Sequence, residues 1–113
     1  MIQVTGSEKR KNIRIPSNRP VLFIINSQSI YATMTDFSKH GIGFISNFSA
    51  KEHDRVEVHF DIPTSYSGKE IKAFQFKAEV RHCLNLTDKS HIGVRLDFPT
   101  KDYLQIFDEL TPT

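Results

Sequence analysis

At 113 residues the chain is long enough to bury one hydrophobic core and too short for two. With 38% hydrophobic and 25% charged residues, nine Phe and three Tyr, the composition excludes a disordered chain, and no apolar run approaches the roughly 18 residues of a membrane span. The net charge of +2 hides a basic cluster confined to one short segment, not the whole basic face of a general nucleic-acid binder, so DNA is not an expected partner, and the single cysteine, Cys83, excludes an internal disulfide.

Taken in chain order, residues 1–8 read as a loose polar segment. "MIQVTGSEKRK" lacks the apolar core of a signal sequence, so the expected location is the cytoplasm, without membrane insertion. The chain from 9 to 113 reads as one domain. It opens on a basic arm, residues 9–19, in which Lys9, Arg10, Lys11, Arg14 and Arg19 occur with no acid, whereas the rest of the chain holds ten basic and 13 acidic residues. A basic arm on a mildly acidic body points to a local anionic partner. Arg10 and Arg14 are four apart, a spacing that puts both guanidinium groups on one face of either a helix or a strand. Paired guanidinium forks suit phosphates and the O6/N7 edge of guanine. By spacing alone a solvated basic tail is the stronger reading.

"VLFII" (21–25) and "IYATMTDF" (30–37) read as two strands joined through the polar "NSQS". "DFSKHG" follows, then "IGFIS" (42–46) as a third strand. In "RVEVHFDIP" Val56, Val58, Phe60 and Ile62 alternate with Glu57, His59 and Asp61, a half-buried strand ending at Pro63. "IKAFQFKAEVRHC" repeats the period of two, with Phe74, Phe76, Ala78 and Val80 inward and Gln75, Lys77, Glu79 and Arg81 outward. In "HIGVRLDF" the inward set is Ile92, Val94, Leu96 and Phe98, and His91, Gly93, Arg95 and Asp97 face out. Beyond Pro99, Tyr103, Ile106, Phe107 and Leu110 fall at helical spacing behind Thr100, a plausible N-cap. Six half-apolar strands would leave edges open as a flat sheet, so the expected fold is all-β: a six-stranded antiparallel β-barrel with a short C-terminal α-helix.

Asp36, Ser38 and His40 are the residue types of a hydrolytic triad. Their spacing by two lines them along one strand face instead of converging from separate segments, and no GxSxG elbow is present, so an enzyme is not expected. His40, His53, His59, His82 and His91 are scattered, and Cys83 has no second cysteine at ligand spacing. These histidines read as solvated, and no metal or other cofactor is expected. Within "DFSKHG" Asp36 can accept from an amide-like N–H edge, Ser38 can donate to a phosphate, and Gly41 and Gly43 permit close backbone approach. Equally, the segment reads as an Asx or ST turn between strands.

Arg10-Lys11-Asn12-Ile13-Arg14 matches an RxxxR motif and Asp36-Phe37-Ser38-Lys39-His40-Gly41 a [D/N]xSxxG motif, in that order and with a strand pair between them. In this the chain resembles the PilZ domains, bacterial receptors for cyclic di-GMP, over about residues 9–110. The resemblance implies an arm that closes over the barrel mouth. In it Arg10 and Arg14 hold guanine edges and phosphates, Asp36 meets guanine donors or orients an arginine, Ser38 contacts phosphate or a loop amide, and Gly41 keeps the loop open. Lys9, Arg81 and Arg95 are the further contacts it suggests. It implies a receptor that orders its arm on binding cyclic di-GMP and signals to an effector protein of motility, secretion or exopolysaccharide machinery. The alternative is a PilZ-like protein-interaction module that binds no nucleotide. An RNA-binding small barrel is less favoured, because most aromatics fall on the inward register.

Overall fold

The computed structural model of the protein describes residues 13–64 and 69–110. Its strands are β1 (Ile15–Pro16), β2 (Pro20–Ile25), β3 (Gln28–Phe37), β4 (Gly41–Ser46), β5 (Arg55–Pro63), β6 (Ile71–Asn85) and β7 (Ser90–Leu96), followed by one helix, α1 (Lys101–Leu110). Around the barrel the order is β3-β2-β5-β6-β7-β4, every neighbouring pair is antiparallel, and the pairing of β4 with β3 closes the ring. Closure removes the exposed edges that six such strands would otherwise present. The expected six-stranded barrel with its C-terminal helix is therefore the observed one, with β1 as an addition.

The polar connection after "VLFII" is a tight turn. β2 and β3 pair down to Ile25↔Gln28, leaving only Asn26 and Ser27 to turn the chain, both at positive φ (51° and 66°). Two successive positive φ values make a turn whose twist matches that of the strands, and Asn tolerates this conformation well. Short pairings also alter the arm. Ile15 and Pro16 pair with Phe37 and Asp36, while β4 bonds the opposite edge of those residues. Ser17 N–H donates to the Thr35 carbonyl (3.0 Å) and Met34 N–H to that of Arg19 (2.8 Å). The part of the basic arm from residue 13 onward is thus pinned to the edge of β3.

The inward residues of all six strands form one core in which Phe23, Phe37, Ile42, Phe44, Val58, Ile62, Val80 and Ile92 are fully buried. At one end Tyr103 of α1 meets Phe60, Phe74 and Phe76 edge-on, at centroid distances of 5.2–6.1 Å. Phe107 meets Phe37 edge-on at 6.3 Å. Burying each of these rings contributes about 1.5–3 kcal/mol, enough to dock a ten-residue helix that would not persist alone in water. The Thr100 carbonyl accepts the first helical bond, from Leu104 N–H at 3.0 Å, as expected of a residue at the N-cap.

One inward assignment fails. Phe98 is 85% exposed, because β7 ends at Leu96 and the chain bends before Pro99, so the period of two stops two residues short of the pattern.

Candidate functional site

The site assembles where β1 meets the end of β3. Ile15 packs against the core, so its neighbour Arg14 points outward above the pairing of Pro16 with Asp36. From there the Arg14 guanidinium donates to Asp36 Oδ1 (3.0 Å) and Ser38 Oγ (3.3 Å). Two residues separated from Arg14 by more than twenty positions are joined by one planar fork.

Ser38 is fixed on every side. It is 7% exposed, its N–H donates to the Gly41 carbonyl (2.8 Å), and its hydroxyl donates to the same oxygen (3.3 Å). Its own carbonyl accepts from the Tyr103 hydroxyl at 2.5 Å. Burial pushes the Tyr103 pKa upward, so the hydroxyl keeps its proton and remains a donor across the physiological range. Lys39 pairs with Asp108 of α1 at 3.2 Å. The loop of the second motif is therefore bolted to the C-terminal helix by a hydrogen bond, an ion pair and the contact of Phe37 with Phe107.

Gly41 is required by packing against β7. A Cβ there would lie 2.4 Å from the Val94 carbonyl oxygen, a backbone atom that cannot swing away. Its neighbours across the β4–β7 pairing are Arg95 for Gly41 and Gly93 for Gly43. Glycines facing outward on adjacent strands lower the barrel surface, and an open groove of about 370 Å³ results. Arg14, Ser38, His40 and Gly41 line one side of it, and Arg81, His82, Gly93, Val94 and Arg95 the other.

Five of the residues singled out from sequence, Arg14, Ser38, Gly41, Arg81 and Arg95, therefore line one groove. Asp36 is placed differently. It stands behind Arg14, and its Oδ1 lies where a Cβ on Gly43 would come within 2.8 Å, so its observed contact orients the arginine. Lys9 and Arg10 lie outside the described residues. Gly93 and His82 were not among the candidates. A glycine in the middle of the alternating "HIGVRL" was the available signal, since a strand glycine often marks a close approach.

Three arginines line one groove, with Arg14 paired to Asp36 and Arg95 to Glu79, a lining whose chemistry suits an anion. Arg95 also donates to Glu79 at 3.5 Å, and Glu79 accepts from His53 Nδ1 at 2.7 Å. That histidine is the main cause of a Glu79 pKa below the ordinary carboxylate value, with Arg81 and Arg95 adding to it. Among the described residues no group of three or more His, Cys, Asp or Glu side chains is placed to hold a metal ion, and no helix is long and apolar enough to cross a membrane.

Comparison with known proteins agrees with this architecture. No curated protein is significantly similar to the chain in sequence. Among solved structures, MotI/DgrA, the inhibitor of motility from Bacillus subtilis, superposes with a TM-score of 0.71 at 14% identity, covering 83% of this chain and 45% of that one. The PilZ domain of YcgR from Escherichia coli, solved with c-di-GMP, gives 0.61 at 11% identity over 88% of this chain and 86% of that one. PlzA from Borreliella burgdorferi, also solved in complex with c-di-GMP, gives 0.56 at 10% identity over 91% and 51%. The chain thus spans less than half of MotI and about half of PlzA. At these identities the superpositions establish the fold, and the sequence match decides the family: the PilZ domain profile runs over residues 8–111, both motifs included, and the chain belongs to the PilZ domain family.

Proposed function

We propose that this domain is a receptor for cyclic di-GMP that acts without turnover and passes the signal to a partner protein. The observation that carries the reading is Arg14, held by Asp36 and Ser38 at the rim of a groove that Arg81 and Arg95 also line. A fork oriented from behind by a carboxylate is ready to donate its remaining N–H groups to a phosphate or a guanine edge. The structures of YcgR and PlzA, both solved with c-di-GMP, support the choice of ligand class.

In this reading Ser38 and Gly41 form a fixed floor. Arg14 stands at the rim, and Arg10, with Lys9 beside it, closes from the arm. Ligand binding orders the arm, and the changed surface is what an effector of motility, secretion or exopolysaccharide machinery reads. The loop's attachment to α1 through Tyr103 and Lys39 gives the ligand site a mechanical link to the C-terminal surface.

The test is calorimetric titration with cyclic di-GMP, cyclic di-AMP and GTP, together with hydrogen exchange. Saturable binding of cyclic di-GMP in preference to the other two is expected, with amides of residues 8–19 gaining protection while those of Arg55 to Asp61 barely change. Binding of none of the three overturns the receptor reading in favour of a protein-interaction module. Binding without protection of the arm overturns the ordering step alone.

A further inference from the structure

β2 and β5 stand across the barrel from β7 and β4, so their outward side chains form a wall remote from the arginine groove. Register sets Tyr31, Leu22, His59 and Gln75 in one row over four strands, through the pairs Tyr31↔Leu22, Leu22↔His59 and His59↔Gln75. Tyr31 is 79% exposed, although the core has no use for a ring held in that position. The row borders a shallow hollow of about 320 Å³, also lined by Asp61 and Ala73, the next outward pair along β5 and β6.

The carboxylates of this wall are matched unequally. Glu57, one outward step from His59 on β5, accepts from Gln75 Nε2 at 2.7 Å and lies 2.7 Å from His59 Nε2. Asp61, one step the other way, has no ion-pair partner among the described residues. An unmatched carboxylate beside Leu22, Ala73 and an exposed tyrosine ring complements a long cationic side chain, whose apolar stem needs a dry bed and whose head needs an acid. β3 and β5 are two strand spacings apart, roughly 10 Å, so a side chain lying over Leu22 can touch both Tyr31 and Asp61. The same carboxylate repels phosphate, which turns nucleic acids and anionic lipids away. A twofold contact of the wall with itself would face each Asp61 with a hollow whose one basic group, His59, already serves Glu57.

We propose that this wall is a protein-docking surface that receives an arginine from a basic segment of the partner, its stem along Tyr31 and Leu22 and its guanidinium at Asp61. The inference rests on the reading that the domain works through a partner protein, and it holds with or without nucleotide in the arginine groove. Arginine fits better than lysine because Gln75, diagonal to Asp61 across β5 and β6, engages Glu57 through Nε2 and leaves its amide oxygen to accept. A planar fork can meet that oxygen and the carboxylate together, whereas an ammonium acts as a point charge. Tyrosine and arginine are also among the side chains that carry most of the energy at protein interfaces.

The probe is the peptide acetyl-Ser-Leu-Arg-Leu-Ser-amide, with a twin in which citrulline, the uncharged isostere, replaces arginine. Each is titrated into the isotope-labelled full chain without nucleotide, and backbone amide shifts are followed by NMR. Saturable shifts clustered at Leu22, Tyr31, Asp61 and Gln75 are expected with the arginine peptide, and binding about fivefold weaker with its twin. Asp61→Asn should weaken the arginine peptide by about fivefold and erase its advantage over citrulline, and Tyr31→Ala should weaken it about threefold. Both side chains lie outside the core, so the variants fold. Equal affinity of wild type for the two peptides, or shifts gathered at the acids of α1 instead of the wall, overturns the docking surface. Self-association of wild type in sedimentation that Asp61→Asn abolishes overturns the choice of occupant in favour of a second copy. Cyclic di-GMP titrated into wild type and Asp61→Asn should bind both alike; a loss confined to the variant overturns the separation of the two sites, and binding by neither overturns the receptor reading alone.

Discussion

Replacing Arg14 by alanine separates binding from folding more cleanly than any other single change. In the structure its guanidinium makes one ion pair, with Asp36 at 3.0 Å, and one bond to Ser38 at 3.3 Å, and the side chains of the ion pair are 44% and 30% exposed. A pair this open to solvent contributes only about 0–1 kcal/mol to stability, so the melting temperature is expected to fall by no more than about 4 °C. Ligand binding should suffer far more. Hydrogen bonds to charged groups contribute about 1.5–3 kcal/mol each, and losing one two-pronged contact costs about 3 kcal/mol, roughly a hundredfold in Kd. Asp36, left without its cation, then faces an anionic ligand and adds to the loss. Arg14→Lys retains the charge but not the fork, and should fall between, at about tenfold. Calorimetry with cyclic di-GMP and thermal melts of the three proteins measure both quantities. Equal affinity in wild type and Arg14→Ala would refute the clamp, and a melting temperature lowered by more than about 10 °C would show that Arg14 serves the fold instead.

Three further outcomes test the scaffold. Tyr103→Phe removes the donor to the Ser38 carbonyl while keeping the ring packing, and should cost on the order of 1 kcal/mol in chemical denaturation and loosen the attachment of the loop to α1. Gly41→Ala sets a methyl 2.4 Å from the Val94 carbonyl and forces β4 from β7, so a loss of about 1–3 kcal/mol is expected by the same assay. The third concerns acid. Lys72 first, and Thr100 second, hold the Asp102 carboxyl at about 2 against an ordinary 3.8, so in that interval the unfolded chain binds the proton and the folded one does not. The stabilisation is then full above about pH 4 and lost as pH falls toward about 2. Denaturation at a series of pH values should find the advantage of wild type over Asp102→Asn at pH 6 and see it vanish by pH 2; an advantage independent of pH would refute the assignment.

Much of this protein is legible in its residues. The alternation in "RVEVHFDIP" and "IKAFQFKAEV" determines which side chains enter the core, because a strand has only two faces and one of them must be dry. The helical spacing of Tyr103 and Phe107 determines the face that α1 buries. The two motifs were likewise visible as residues. Their meeting was not, since the contact of Arg14 with Asp36 and Ser38 depends on a two-residue pairing of Ile15 and Pro16 that no periodicity announces.

Local pattern also cannot foresee where it will be interrupted. A bulge after Val80 adds one residue to β6, and with it His82, which by composition is a solvated histidine, comes to lie across Gly93 at the groove. Phe98 shows the converse, an apolar residue in phase with its strand but beyond the strand's end. The sequence by itself determined the six strands of the barrel, the closing helix and the residue types of the site. The tertiary structure decided which of them share a groove, because register, bulges and barrel closure are set by partners distant in the chain, and a single extra residue reassigns the faces of everything after it.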